Sequence, residues 1–331
     1  MTEWSAGKKG HMKRADTRVP FEALCVGQLA ADVLVRPVDR LEFAADTQRV
    51  ELIELKTGGD SLNVAIGLHR LGCRVGFAGL VGEDHWGDFL ESAIDRAGID
   101  RRGLRRTREA GTCAVIVAIN SRGERTFFYC GGANDLFRLE DVDPALVREA
   151  AVVHVGGTFL LPLFDGEGAA ALFRSARSQG KLATMDVTWD TQGRWLPVIS
   201  PCLQHLDWFL PSVKEAERIT GRGEPPDMAA FLRERGVANV VIKLGEGGCF
   251  VLPARERGFV VDAFPARVVD TTGAGDSFVA GFLTGLLRGW EPRRCALLAC
   301  AVAALNIQQV GATAGVPTFQ EACDFMEKNS R

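Results

Sequence analysis

The chain has 331 residues, 47% of them apolar and 24% charged, with a formal net charge of −3. This is the composition of an ordinary soluble globular protein, long enough for one large α/β domain or two small ones. It excludes a surface built to coat nucleic acid or an anionic membrane, and the longest apolar run, Cys295 to Ile307, is too short to span a bilayer. A cytoplasmic protein with neither nucleic-acid nor membrane partners is therefore expected.

Residues 1–20 lack the apolar core of a secretory signal and read as a disordered leader; Gly10–Met12 (Gly-His-Met) has the look of a cloning scar. From Ala23 onward, short apolar runs alternate with helical patterns. "ALCVGQ", "VGFAGLVG", "AVVHVGG", "LATMDV", "WFLPS" and "NVVIKLG" are continuous apolar stretches ending in Gly, Ser, Asp or a polar neighbour, as parallel strands buried on both faces require. "SLNVAIGLHRLG", "WGDFLESAIDRAG", "AALFRSARSQG", "KEAERITG" and "MAAFLRERG" lie between several of them and end in Gly, a helix stop. The alternation predicts a doubly wound, mainly parallel sheet with helices on both faces.

Two stretches break this rhythm. Asp32 to Gly59 has no helical period, and Gly111 to Gly132 reads as a hairpin, two β runs around "NSRGE". Together they predict a small sheet standing off one edge of a single domain spanning 21–331, with inserted segments at about 33–57 and 111–131 acting as a lid. The basic run Arg96 to Glu109 lacks interleaved aromatics and reads as a solvated surface. The nine cysteines contain no Cys-x-x-Cys pair, so the usual zinc-site spacing is absent and buried thiols are expected.

The most informative stretch is "VVDTTGAGDSFVAGFLTGLL", Val268 to Leu287. Apolar residues lead into Asp270, and a helical run follows Gly273-Ala274-Gly275-Asp276. The turn therefore falls at a helix N-terminus, where unpartnered amides carry partial positive charge and glycines leave an anion room to approach. Asp276 is either an N-terminal cap or a general base that takes the proton of an acceptor hydroxyl during phosphoryl transfer. On the second reading the helix end keeps the carboxylate ionised and stabilises charge on the transferring phosphate. The Walker pattern Gly-x4-Gly-Lys-Ser/Thr is absent, and the turn does not fit the dinucleotide pattern Gly-x-Gly-x-x-Gly.

"GGDSLNVAIGLHRLG" (Gly58 to Gly72) and "DTTGAGDSFVAGF" (Asp270 to Phe282), in this order, resemble the two signatures of the ribokinase-like (PfkB) carbohydrate kinases, and the resemblance runs from about Ala23 to Pro317. It implies a central parallel sheet with a small β lid, an ATP- and Mg2+-dependent transfer to a sugar hydroxyl, and a set of site residues. Asp32, closing the opening strand "VGQLAADVLV", corresponds to a residue binding sugar hydroxyls, with Gly58 and Gly59 allowing close backbone approach to the substrate and Asn63 offering donor and acceptor. Gly273, Ala274 and Gly275 form the anion hole and Asp276 the base. In "PSVKEAE", Ser212 stands where Asn is usual and Glu215 keeps the acid that organises Mg2+, through water. "VIKLGEGG" places Lys243, Gly245 and Gly248 near the nucleotide phosphates, although Lys243 also reads as a surface lysine at a strand end. "ALNIQQVGATAG" places Asn306 and Gly311 in the segment over adenine, and Asp270 matches the position beside which many members hold a monovalent cation such as K+.

The acceptor is read less sharply. Kinases of this family for acidic sugars often carry an Arg soon after a strand-end Asp-x-Asn; here "MDVTWDTQGRW" has Thr188 and Asp190, with Arg194 nearby. A neutral sugar or polyol is expected, with a nucleoside kinase or a catalytically idle sugar or nucleotide sensor as alternatives. Lids of this family often pair, so a homodimer through the lid is a further expectation.

Overall fold

The computed structural model describes residues 21–41, 43 and 46–329; the expected leader, residues 1–20, lies outside them. In chain order the strands and helices are β1 (Ala23–Gly27), β2 (Ala30–Arg36), β3 (Leu52–Gly58), α1 (Asp60–Arg70), β4 (Val75–Gly82), α2 (His85–Arg96), β5 (Asp100–Thr107), β6 (Ala114–Ile119), β7 (Arg125–Cys130), α3 (Pro144–Glu149), β8 (Val152–Thr158) and α4 (Glu167–Ser178). There follow β9 (Leu182–Val187), α5 (Leu196–Leu203), β10 (Trp208–Phe209), α6 (Val213–Thr220), α7 (Pro225–Glu234), β11 (Asn239–Lys243), β12 (Cys249–Leu252), β13 (Phe259–Val261), α8 (Ala274–Leu287), α9 (Pro292–Asn306) and α10 (Phe319–Asn329).

A nine-stranded sheet runs β13-β12-β11-β10-β9-β8-β1-β4-β5. From β11 to β5 every neighbouring pair is parallel; β12 and β13 return antiparallel at the far edge. Burial of both faces explains the unbroken apolar runs. Within β1, Ala23 and Cys25 face one core and Leu24 and Val26 the other. The first core packs against α1, α2, α8, α9 and α10, the second against α3 to α7.

Strands β3-β2-β6-β7 form a separate four-stranded sheet, with β2 parallel to β6 and antiparallel pairs at both edges. The "NSRGE" turn joins β6 to β7 as read from sequence. The basic run is a solvated surface, as read, and forms strand β5, its arginines paired with Glu91, Asp95, Asp88 and Glu149. One reading changes. The expected strand at "WFLPS" is only the two residues of β10. The cysteines are all free thiols, and all but Cys130 and Cys323 are buried.

The order of the large sheet reverses between β1 and β8, because the chain builds outward to β5 before returning. In an open α/β sheet that reversal leaves a crevice at the carboxyl ends of the strands, where ligands bind. β2 follows β1 after two residues, so the small sheet stands at this same end.

Candidate active site

Four strand ends deliver polar side chains to this crevice. β1 leads through Gln28 to Asp32, β9 ends near Asp186, β10 leads to the cap of α6, and β11 ends at Lys243. The remaining contributions come from the N-termini of α1 and α8. Those two helices approach closely because small residues meet there: a Cβ on Gly67 would lie 2.8 Å from the Ala280 methyl. The close approach sets Asn63 beside Asp276, its Nδ2 donating to Asp276 Oδ2 at 2.8 Å.

Asp276 lies in the first turn of α8, and Gly273 is the cap residue, at φ 68°. An L side chain at that φ is strained, and a Cβ would fall 2.1 Å from the Ala312 carbonyl oxygen. Glycine is thus required by the turn's own packing. Gly275 has a different role, since a Cβ there would point at Lys243 Nζ, 3.3 Å away. The open side of the turn therefore faces an ammonium group, and amides plus ammonium converge on a space suited to an anion.

Lys243 is not a surface residue. Its Nζ is 2.7 Å from Asp186 Oδ2, and the two side chains are 12% and 4% exposed. Asp186 also accepts from the Val187 amide at 2.8 Å. Around this pair lie Glu215, Asp276 and Asp60, whose charges act on one another with Lys243 the one cation among them. Burial first, then these like charges, raises the carboxyl of Asp276 from 3.8 to about 7, against the lowering effect of the Asn63 hydrogen bond. Desolvation is the largest influence on the charge state of this acid. Asp32 is likewise raised to about 7, by burial and then by the Asp276 charge.

Gly58 and Gly59 are required by the protein's own packing. A Cβ on Gly58 would fall 2.1 Å from Asp32 Oδ2, and one on Gly59 2.5 Å from the Leu29 Cα. These glycines seat the Asp32 carboxylate and the chain beneath it. Asn63 Oδ1 is buried without a hydrogen-bond partner, and a buried acceptor of that kind requires a donor from elsewhere.

Glu215 and Ser212 form a reciprocal cap on α6: Ser212 N donates to Glu215 Oε2 at 2.7 Å and Glu215 N to Ser212 Oγ at 3.4 Å. Serine in place of asparagine therefore keeps a good N-cap. Among the described residues no three His, Cys, Asp or Glu side chains stand close enough to ligate one metal ion. The crowded carboxylates fit a divalent cation held through water, the mode Mg2+ favours.

Beside Lys243 and Gly275 opens a cleft of about 760 Å³ lined by Gly245, Gly248, Phe264, Phe278, Ala304 and Ile307 among others. Its apolar walls and the polar group at one end suit a flat heterocycle. Asn306 and Gly311 are not among its lining residues, contrary to expectation. The Asn306 amide is fully used inside the protein, Nδ2 donating to Ala312 O at 2.8 Å and Oδ1 accepting from Gly315 N at 3.1 Å. Gly311 N donates to Asp270 Oδ2 at 2.9 Å. Both residues tie the segment after α9 to the Gly273–Gly275 turn and the chain leading into it. Asp270, expected beside a free cation, is paired with Arg125 of β7 at 2.7 Å.

Sequence reasoning missed Asp186 and Asp60 as site residues. Both had a signal, an acid ending the strand "LATMDV" and one opening α1 in "GGDSLN". Arg125 had none, because its partner lies 145 positions away.

The model of the pfkB family carbohydrate kinases matches residues 21–319. The 2-dehydro-3-deoxygluconokinase of Bacillus subtilis is 29% identical over 279 residues, 81% of this chain and 86% of the relative. The Arabidopsis thaliana ribokinase complexed with ribose and ATP superposes with a TM-score of 0.82 at 25% identity, covering 93% of this chain and 99% of that one. A putative ribokinase II from E. coli, in complex with ATP and Mg2+, shares the fold with a TM-score of 0.81 at 20% identity over 93% of this chain and 99% of its own. The match over nearly the whole chain, on this fold, makes the chain a member of the pfkB family of carbohydrate kinases.

Proposed function

We propose that this kinase transfers the γ-phosphoryl group of ATP to a primary hydroxyl of a neutral sugar or polyol, with Asp276 as the general base. The observation that carries the reading is Asp276 itself. A carboxyl with a pKa raised to about 7 stands in the first turn of the helix whose amides form the anion cradle, hydrogen-bonded to Asn63 and near enough to Asp32 for the two charges to act on one another. A base works best with a pKa near the operating pH.

In this account ATP lies with its base in the apolar cleft and its terminal phosphate between the Gly273–Gly275 turn and Lys243. Asp32 accepts hydrogen bonds from sugar hydroxyls, and the unpartnered Asn63 Oδ1 accepts another. Asp276 holds the attacking hydroxyl and takes its proton. Lys243 and the turn amides stabilise charge on the phosphoryl oxygens, and positioning supplies much of the rate. Mg2+, held through water near Glu215 and Asp186, would neutralise phosphate charge. ATP and Mg2+ in the E. coli relative, and ATP with ribose in the Arabidopsis relative, support these assignments.

One observation favours a second reading, an acidic sugar acceptor. Nε and Nη2 of Arg194 are buried with no hydrogen-bond partner, and its nearest carboxylate, Asp190, is 4.0 Å away. The Bacillus relative's name specifies an acidic sugar. Measuring ADP release across neutral sugars, polyols, sugar acids and nucleosides tests both. Saturable turnover with a neutral sugar supports the first reading, and preference for the acids replaces it with the second. Ligand binding without ADP release overturns both in favour of a sensor.

The outer face of the small sheet carries the cross-strand row Leu55, Val33, Ile116 and Phe128, three of them exposed. A patch of that kind supports pairing with a second copy of the chain, which sedimentation at graded concentrations would detect as a dimer.

A further inference from the structure

The carboxylate at the head of the phosphate turn has no room for the free cation that the sequence led us to expect. Asp270 Oδ1 accepts three hydrogen bonds, from Arg125 Nη1 at 2.7 Å, Thr272 Oγ1 at 2.7 Å and Thr272 N at 2.9 Å. Oδ2 accepts from Gly311 N at 2.9 Å. The second guanidinium nitrogen, Nη2, donates to Thr271 Oγ1 at 2.7 Å. The Arg125 and Asp270 side chains are only 20% and 12% exposed. A metal ion at this carboxylate would have to displace short hydrogen bonds and lie against a guanidinium charge, which repels it.

We propose that Arg125 is a tethered replacement for a monovalent cation: its guanidinium supplies the positive charge that orders the phosphate turn, and the enzyme is consequently independent of K+. Three chain segments meet at this charge. Arg125 belongs to β7 of the small sheet; Asp270 and Thr271 lead into the turn; Gly311 belongs to the segment that Asn306 ties to Gly273 and Ala312. The arginine also fastens the small sheet, which carries Asp32, to the turn that cradles phosphate. Arg125 is a positioning residue, since it touches the turn and not the reacting atoms. Its planar fork suits this bridging role, donating through two nitrogens to two acceptors at once.

This inference rests on the phosphate-turn reading but not on the identity of the acceptor, and its test separates the two. The full chain and its Arg125→Ala and Arg125→Lys variants are melted without substrate, and assayed with ATP and an accepted sugar, in KCl and in choline chloride of equal ionic strength. The wild-type protein should show the same Tm and kcat in both salts. Arg125→Ala should lose about 10- to 100-fold in kcat in choline chloride. K+ or free guanidinium should restore part of that loss and raise the variant's Tm, while leaving the wild-type Tm unchanged. Arg125→Lys, with the charge but not the fork, should fall between them and respond less to K+. A wild-type enzyme that requires K+ overturns the proposal, as does an Arg125→Ala variant whose kcat and Tm ignore both cations. The melting arm reads the cation site even if every sugar tried is the wrong acceptor.

Discussion

Replacing Asp276 by Asn should make the ligand-free protein more stable, and the gain should depend on pH. The carboxyl is 9% exposed, and in the fold its pKa is raised from 3.8 to about 7. Below pH 3.8 the acid is protonated in both folded and unfolded chains and costs nothing. As pH rises toward 7 the unfolded chain loses the proton while the folded one keeps it, so native stability falls through that window. A rise of that size corresponds to an upper bound of about 4 kcal/mol above pH 7. That shift already contains the attraction of Lys243 for the ionised form, and the neighbouring carboxyls readjust their protonation when Asp276 is neutralised, so the expected net gain is about 1–2 kcal/mol, or a few degrees in Tm. Asparagine can still accept the hydrogen bond from Asn63, which keeps the packing. Thermal melts from pH 5 to 8.5 should show the variant's advantage widening up to about pH 7 and then holding constant. A variant that melts below the wild type at pH 8, or an advantage that does not change with pH, would refute the claim that this carboxylate is held at a cost.

The Lys243–Asp186 pair gives a second prediction. Lys243→Met strands a buried carboxylate and should cost about 3–5 kcal/mol in chemical denaturation. Lys243→Met combined with Asp186→Asn should recover most of that stability while ATP affinity, measured by calorimetry, stays weak; recovery of both would deny Lys243 a phosphate contact. Gly58→Ala pushes a methyl group into the Asp32 carboxylate, 2.1 Å from Oδ2. It should raise the KM for the sugar about tenfold or more and leave the KM for ATP within about twofold. Equal effects on both substrates would remove Asp32 from the sugar site.

Much of this architecture was legible in the sequence because it rests on short-range rules. Unbroken apolar runs announced parallel strands buried on both faces, and the Gly-x-Gly turn before a long apolar run announced an open helix end. The antiparallel return of β12 and β13 escaped notice because short buried strands of either orientation carry the same apolar pattern. Within the site, several motif residues have packing work that the motifs themselves do not display. Asn306 and Gly311 look like ligand contacts in a motif, yet their hydrogen bonds close on the protein itself. Gly58 and Gly59 make room for Asp32 and the chain beneath it. Arg125 meeting Asp270 is a product of tertiary structure alone, and no local pattern encodes it. The raised pKa of Asp276 was likewise hidden, because desolvation depends on carboxylates gathered from α1, β9 and α6.

The account stands most directly on single-turnover phosphoryl transfer by Asp276→Asn with ATP and the accepted sugar, measured beside ATP binding. It predicts a fall of about 10²–10⁴ in rate, with ATP affinity close to that of the wild type. Near-normal transfer by the variant would contradict it, because the amide cannot serve as the base.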